Sequence, residues 1–322
     1  MLHLPELLPD ELMGGYLGRI GRINGINKVA VRAQLHAMTG RAGLPVMRRT
    51  WCHALAGSLG MTADVLAREH TTLPLLRALR SAGGSLSHAV EDDAKTLRLL
   101  EVALPDEGPR LCPQCVNEDL HFWGISYWRR SHQLKGVNWC TKHQAALLVA
   151  TTADVLTDFP EEAAQTSLRK LVVFGDKALL KRYADVVDGL LDLPLATSSD
   201  RAVFRLYEQA QRRHSWRPVK TRRELGLLAQ RLLEGSGLEL TFPRLLKRSV
   251  YAPSKDSAPR DEHWSRAGSG YALALMLTAL YDSADEALFD LTRPWSNGEE
   301  VRAVAMFPKG SVCAAELLAC RA

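Results

Sequence analysis

Two short turns that carry cysteine constrain this chain more than anything else in it. Cys112-Pro113-Gln114-Cys115 offers two thiolates two residues apart, and after twenty-four intervening residues Cys140-Thr141-Lys142-His143 offers a thiolate and an imidazole at the same spacing. A tetrahedral zinc ion takes four soft or borderline ligands, and a pair of C-x-x-C/H turns is the usual way to supply them. Cys112, Cys115, Cys140 and His143 are therefore the expected ligands of one structural Zn2+. Four protein ligands leave no open coordination position, which sets this site apart from a catalytic zinc. A thioredoxin-like redox pair at Cys112/Cys115 would need a βαβ setting and would leave the second pair unexplained.

Around these ligands lie CPQCVNED (from Cys112), GISYWRRSHQLKGV (from Gly124) and CTKH (from Cys140) followed by an apolar run, and the N-terminal stretch reads LPDELMGGYLGRIGRINGI (Leu8 to Ile26). Together these segments resemble the TniQ/TnsD family, over about residues 5–150. The resemblance implies a target-selection protein for transposons of the heteromeric, ATPase-regulated type. Its implied partners are an AAA+ ATPase transposition regulator of the TnsC/TniB kind and either target DNA or an RNA-guided CRISPR effector complex, often with the protein as a homodimer.

Composition sets the outer limits. A chain of 322 residues is long enough for two domains. Of its six cysteines three belong to the metal motif, an economy that fits a reducing cytoplasm and not a disulfide scaffold. Cys52, Cys313 and Cys320 complete no second site and read as buried free thiols. The acids Glu6, Asp10 and Glu11 near the start do not suit a signal peptide, and the apolar run Tyr271 to Tyr281 is too short to span a bilayer. A net charge of +5 permits nucleic-acid binding without requiring it.

The expected fold is mainly α: helix-turn-helix-like N-terminal helices, a structural zinc-finger lobe, and a helical C-terminal domain. Residues 1–150 form the first domain and 151–322 the second. Asp10 is the expected N-cap of a first helix whose apolar face holds Leu12, Tyr16, Leu17 and Ile20; Asn24-Gly25 breaks it, and a second helix runs from about Asn27 to Met38. Within residues 46–80, Ala56, Gly60 and Leu66 stand at helix-turn-helix offsets, and Thr62 is placed to cap the second helix of the pair. In a DNA reader that helix would enter the major groove with Thr62 and Arg68 on it, while Arg48 and Arg49 met phosphates. The same offsets occur in any helix-glycine-helix hairpin, and Asp64 and Glu69 charge the reading face poorly.

In the zinc lobe, about residues 110–148, Trp123, Tyr127, Trp128 and Trp139 are expected to supply the small core. Of Arg129 and Arg130, one is expected to pack and one to face a partner; His132 is expected to hydrogen-bond within the lobe, next to the ligands. Beyond residue 150, Asp176 caps an amphipathic helix with Leu179, Leu180, Tyr183, Val186, Val187 and Leu190 on one face, and Val203, Leu206, Tyr207 and Ala210 mark another. Residues 201–250 carry twelve Lys/Arg against four Glu, a local balance of +8. Their densest part holds Arg212, Arg213, Arg217, Lys220, Arg222 and Arg223 around Trp216, a composition suited to phosphate contact with stacking. A solvated helix end explains it nearly as well. Pro253 to Gly270 reads as a mobile loop or linker.

No nucleotide-binding phosphate loop, G-x-S-x-G elbow or H-E-x-x-H motif is present. The chain is thus not itself the regulatory ATPase, and its dispersed acids and closed metal site point away from an enzyme. The reading that follows is an adaptor in target-site selection; a zinc-containing helix-turn-helix transcription factor is the alternative.

Overall fold

A computed structural model describes residues 2–41, 51–80, 88, 108–151, 153–154, 157–166, 168–170, 175–213, 222–242, 269–296, 298–299 and 302. The chain divides into two compact units, one of residues Met1–Pro74 with His88–Val173, the other of Leu75–Ser87 with Phe174–Ala322. Both are mainly helical, and strands among the described residues are at most three residues long.

The first unit opens with an extended segment and then α1 (Met13–Ile23), α2 (Lys28–Arg41), α3 (Trp51–Ser58) and α4 (Ala63–His70). Helix α1 does not begin as expected. Its N-cap is Leu12, without a side-chain cap, because Asp10 sits in the left-handed region at φ 59° and turns its carboxylate toward Arg130 and Ser131. Asx residues tolerate that conformation better than most. Buried Glu11 accepts from the Leu8 amide and holds Arg19 in a two-pronged ion pair, 2.9 and 2.6 Å. Burial pushes the Glu11 carboxyl above its ordinary range, against the lowering pull of Arg19.

Asn24 caps the end of α1, where its side-chain amide donates to the Ile20 carbonyl. Asn27 then accepts from the Ala30 amide at the start of α2. Met13, Tyr16, Leu17 and Ile20 of α1 close on Val31 and Leu35 of α2, Leu55 and Ala56 of α3 and Leu66 of α4 in one buried cluster. The α3–α4 hairpin has the expected form. Gly60 turns the chain at φ 70°, a conformation glycine adopts without a Cβ penalty, and the Thr62 hydroxyl accepts from the Val65 amide at 3.2 Å.

Helix α5 (Leu73–Leu76) and β1 (Leu79–Arg80) follow. The first unit resumes with β2 (Arg110–Leu111), α6 (Pro113–Trp123), a 3-10 turn at Arg130–Gln133, β3 (Trp139–Cys140), β4 (Ala145–Ala146), β5 (Leu148–Ala150), α7 (Pro160–Thr166) and β6 (Leu168–Lys170). Antiparallel order β2-β5-β6 makes a three-stranded sheet with Leu111 opposite Leu148 and Val149 opposite Arg169. The β3–β4 hairpin pairs Cys140 with Ala145. Leu12, Leu111, Val116, Trp128, Ala150 and Ala163 form a second core that joins this sheet, α6 and α7 to the entry of α1. The first unit thus extends past Ala150 to take in α7 and β6.

The second unit contains α8 (Lys177–Leu191), β7 (Thr197–Ser198), α9 (Ser199–Arg213), α10 (Arg222–Leu232), α11 (Leu238–Thr241), α12 (Ser269–Leu280) and α13 (Ala284–Thr292), with β1 and β7 paired in parallel. Asp176 caps α8 through the Ala178 and Leu179 amides, and Leu180, Tyr183, Val186, Val187 and Leu190 are buried as their helical spacing implies. Residues 271–291 are divided between α12 and α13, with Ser283 capping α13 through the Glu286 amide at 3.1 Å. Among the described residues no helix is long and apolar enough to cross a membrane.

Candidate metal centre

The centre is assembled from one helix start and one hairpin. Strand β2 leads into Cys112, which is the N-cap of α6, and Pro113 occupies the first helical turn, where its missing N–H costs nothing. Cys115 follows inside that turn. The β3–β4 hairpin carries Cys140 on its first strand, and the tight turn at 141–144, with Gln144 at φ 51°, brings His143 back over it. The His143 amide points at Cys140 Sγ at 3.4 Å, an arrangement that suits a thiolate acceptor.

Four ligand atoms, the sulfurs of Cys112, Cys115 and Cys140 and a ring nitrogen of His143, lie within 4.8 Å of one another and could hold a metal ion. The three cysteines are buried and unbridged. Cys115 Sγ is 3.8 Å from Cys140 Sγ, and His143 Nδ1 is 3.6, 3.3 and 3.7 Å from the sulfurs of Cys112, Cys115 and Cys140. Metal–sulfur and metal–nitrogen lengths of about 2.3 and 2.05 Å at tetrahedral angles imply ligand separations of about 3.8 Å between sulfurs and about 3.6 Å from sulfur to nitrogen. The cage has the size a tetrahedral cation needs. Without a cation the thiols must share protons: hydrogen bonds from Cys115 and Cys140 hold Cys112 below the ordinary thiol range, and donating to Cys112 pushes Cys115 above it.

The chain between the two ligand pairs is fastened on every side. Gln133 pairs with the Arg110 backbone in both directions, at 2.8 and 2.6 Å. Arg110 reaches across to the carbonyls of Leu134 and Val137, which leads the chain toward β3. Trp128 is buried, donates to the Asp158 carbonyl at 2.7 Å and accepts from the Leu12 amide. A Cβ on Gly15 of α1 would stand 3.3 Å from Trp128, so glycine sets how closely α1 approaches it.

Both arginines pack, contrary to the expectation that one would be free for a partner. Arg129 pairs with Asp119 at 2.6 Å and lies over the Tyr127 ring; Arg130 pairs with Asp10 and donates to the carbonyls of Arg68 and Thr71. The reason is that this stretch is extended before the 3-10 turn, and the lobe turns both side chains toward acids of its own unit. Burial raises Asp119 to about 6 even beside Arg129. His132 lies next to the ligands as expected: it is buried, its Nε2 is 4.0 Å from Cys115 Sγ, and burial lowers its pKa to about 4, so the ring is neutral. Tyr127 and Trp128 fill the core, but Trp123 does not. It is 43 % exposed beside Phe122 at 78 %, because α6 ends there at Gly124 and its last turn faces outward.

Arg48, Arg49, Arg217 and Lys220 lie outside the described residues. Arg222 and Arg223 open α10, and their side chains are likewise outside the description. Thr62 gives its hydroxyl to the cap of α4, and Arg68 pairs with Glu69 at 2.7 Å. Arg213 holds Asp282 at 2.6 Å, and Arg212 reaches Asp290 at 3.4 Å.

Sequence spacing did not single out Glu118, whose Oε1 lies 2.9 Å from His143 Nε2. The available signal was its position three residues after Cys115 on α6, which places both on one helix face. A search among curated proteins finds no match. A comparison with family models matches residues 3–147, a span that includes α1–α4 and all four ligand positions. The family matched over those residues is TniQ.

Proposed function

We propose that this transposition-associated protein is a target-selection adaptor: it links a recognised target to an AAA+ ATPase regulator, which in turn licenses the transposase. The observation that carries this reading is the TniQ match over residues 3–147, which takes in both the helical bundle and the metal lobe. The residues support a scaffold and not an enzyme, because the clustered thiols and imidazole are closed to substrate. Recognition reaches the protein either through DNA or through an RNA-guided effector complex, with the chain acting as a homodimer.

The metal in this reading is zinc. Three thiolates and one imidazole form a borderline-soft set that suits Zn2+ over the hard cations. When bound, the ion cross-links α6 to the β3–β4 hairpin and supplies folding energy; apparent values for such sites are about 10–16 kcal/mol. Cys112, Cys115, Cys140 and His143 would hold it, and Gln133, Arg110 and Arg129 keep the intervening chain in place. As an operator-reading transcription factor the protein draws less support. Arg68 on α4 is engaged with Glu69, and His70 is buried against the Glu11 carbonyl.

The test is reconstitution with the purified regulator. Zinc-loaded protein, target DNA and the AAA+ ATPase are mixed, and the ATPase retained on DNA is measured with and without this chain. The adaptor reading expects retention that depends on the chain and on ATP. Retention that is the same without it, together with a symmetric promoter footprint by the chain alone, would hand the case to the transcription factor.

A further inference from the structure

His143 meets two different neighbours through its two ring nitrogens. Nδ1 faces the three sulfurs at 3.3 to 3.7 Å, and Nε2 faces Glu118 Oε1 at 2.9 Å. An ionised carboxylate only accepts hydrogen bonds, so the ring nitrogen against it carries the proton and the lone pair is left on Nδ1. The second carboxylate oxygen, Oε2, pairs with the Lys142 ammonium at the exposed surface. Cys115 and Glu118 are three residues apart on α6, so the helix delivers a ligand and the carboxylate behind another ligand from the same face.

We infer that Glu118 is a positioning residue of the metal centre, which sets the His143 tautomer and ring orientation so that Nδ1 is the donor atom. The inference rests on the reading of Cys112, Cys115, Cys140 and His143 as a metal site and adds a fifth residue to it. A carboxylate behind a ligating imidazole raises the basicity of the ring and removes its rotational freedom, and the loss of such a partner typically weakens metal binding about 10–100-fold. Glu118 is exposed and belongs to neither buried cluster of its unit, so its removal does not empty a core.

The experiment uses the full chain as wild type, Glu118→Gln, Glu118→Ala and Lys142→Met. Zinc affinity is measured by competition with a chromophoric chelator, and the His143 tautomer by nitrogen-15 NMR of the zinc-loaded protein; thermal melts of the loaded proteins check the fold. Glu118→Ala is expected to bind zinc about 10–100-fold more weakly, with Glu118→Gln between it and wild type because the amide oxygen still accepts without the charge. Lys142→Met keeps the contact to the ring and stays within about threefold of wild type; a loss as large as that of Glu118→Ala would locate the effect in the ion pair and overturn the inference. Wild type that loads zinc beside a Glu118→Ala protein of equal affinity and unchanged tautomer overturns the inference alone. Wild type that takes up no zinc overturns the metal reading and this inference with it.

Discussion

Arg130 Nε donates to Asp10 Oδ1 at 2.7 Å across 120 residues of sequence. The same pair is doubled by the backbone, where the Arg130 amide donates to the Asp10 carbonyl at 2.9 Å, and the Ser131 hydroxyl takes Asp10 Oδ2 at 2.6 Å. The other arm of the guanidinium reaches the carbonyls of Arg68 and Thr71 at the end of α4. One side chain therefore ties the N-terminal turn and the helix-turn-helix pair to the loop between the metal ligands.

Replacement of Arg130 by Met should cost about 3 kcal/mol of unfolding free energy, the lower end for a broken buried pair, because Asp10 keeps its bond from Ser131 and some access to water. Arg130→Lys should recover only part of the loss, since an ammonium cannot serve Asp10 and the two carbonyls in the same fork geometry. Urea unfolding midpoints of the three proteins at pH 7 decide it. A midpoint for Arg130→Met equal to wild type would mean the network is incidental.

Metal removal should act locally. Leu111, Val116 and Trp128 pack in the core beside the cage, whereas Tyr16, Leu35, Leu55 and Leu66 pack in a separate cluster. Chelation, or Cys140→Ser, is expected to abolish the near-ultraviolet signal of Trp128 and Trp139 while most of the helical far-ultraviolet signal persists. Loss of both signals in one transition would show that the bundle and lobe fold as a unit. Retention of both would mean that the protein contacts alone hold the lobe.

Local chemistry was legible in the sequence to the extent that it is set by nearest neighbours. The ligand spacing brought the four donors together, Gly60 and Thr62 made the turn and cap expected of them, and Asp176 opened α8. What failed were assignments that depend on distant partners. Asp10 has the composition of an N-cap, yet Arg130 and Ser131 are stronger partners than the α1 amides, and they lie more than a hundred residues away. Adjacent Arg129 and Arg130 were expected to divide, one packing and one facing a partner, but Asp119 and Asp10 approach from two different elements. Trp123 read as core because an aromatic near a small metal site usually is, and only the direction of the last turn of α6 places it outside.

The described part of the basic stretch should contribute little to nucleic-acid affinity. Arg213 forms a two-pronged pair with Asp282, and Arg212 joins Asp290, which also accepts from the Tyr281 hydroxyl at 2.6 Å. These side chains fasten α9 to α13 and its leading turn. Alanine at both positions is expected to leave the salt dependence of DNA binding unchanged, whereas removal of two phosphate contacts would lower the log–log slope by about 2. Titrations of one DNA duplex over a salt series read that slope directly, and a fall of that size would return both arginines to the interface.

Acid should loosen the first unit through His70 at the end of α4. The ring is buried, Nδ1 lies 3.2 Å from the Glu11 carbonyl, and burial lowers the pKa below the usual 6.5, with Arg130 nearby adding to the effect. Nδ1 therefore carries the proton that it donates, and Nε2 is bare. Charged and polar groups that face it pull the other way, namely Glu69, Asp10 and the accepting carbonyl, but do not outweigh desolvation. A group whose pKa falls on folding binds fewer protons in the folded state, so its contribution is fully present above the unfolded pKa of about 6.5 and is lost as pH drops from there through the folded value. Melting temperatures of zinc-saturated protein between pH 7.5 and 5.5 should fall, and His70→Gln, whose amide can still donate to Glu11, should fall less. The difference between the two curves isolates His70 from acid loss of metal, which both proteins share. Curves that run parallel over that range would mean that His70 ionises without cost and that the helix end at α4 is open to water.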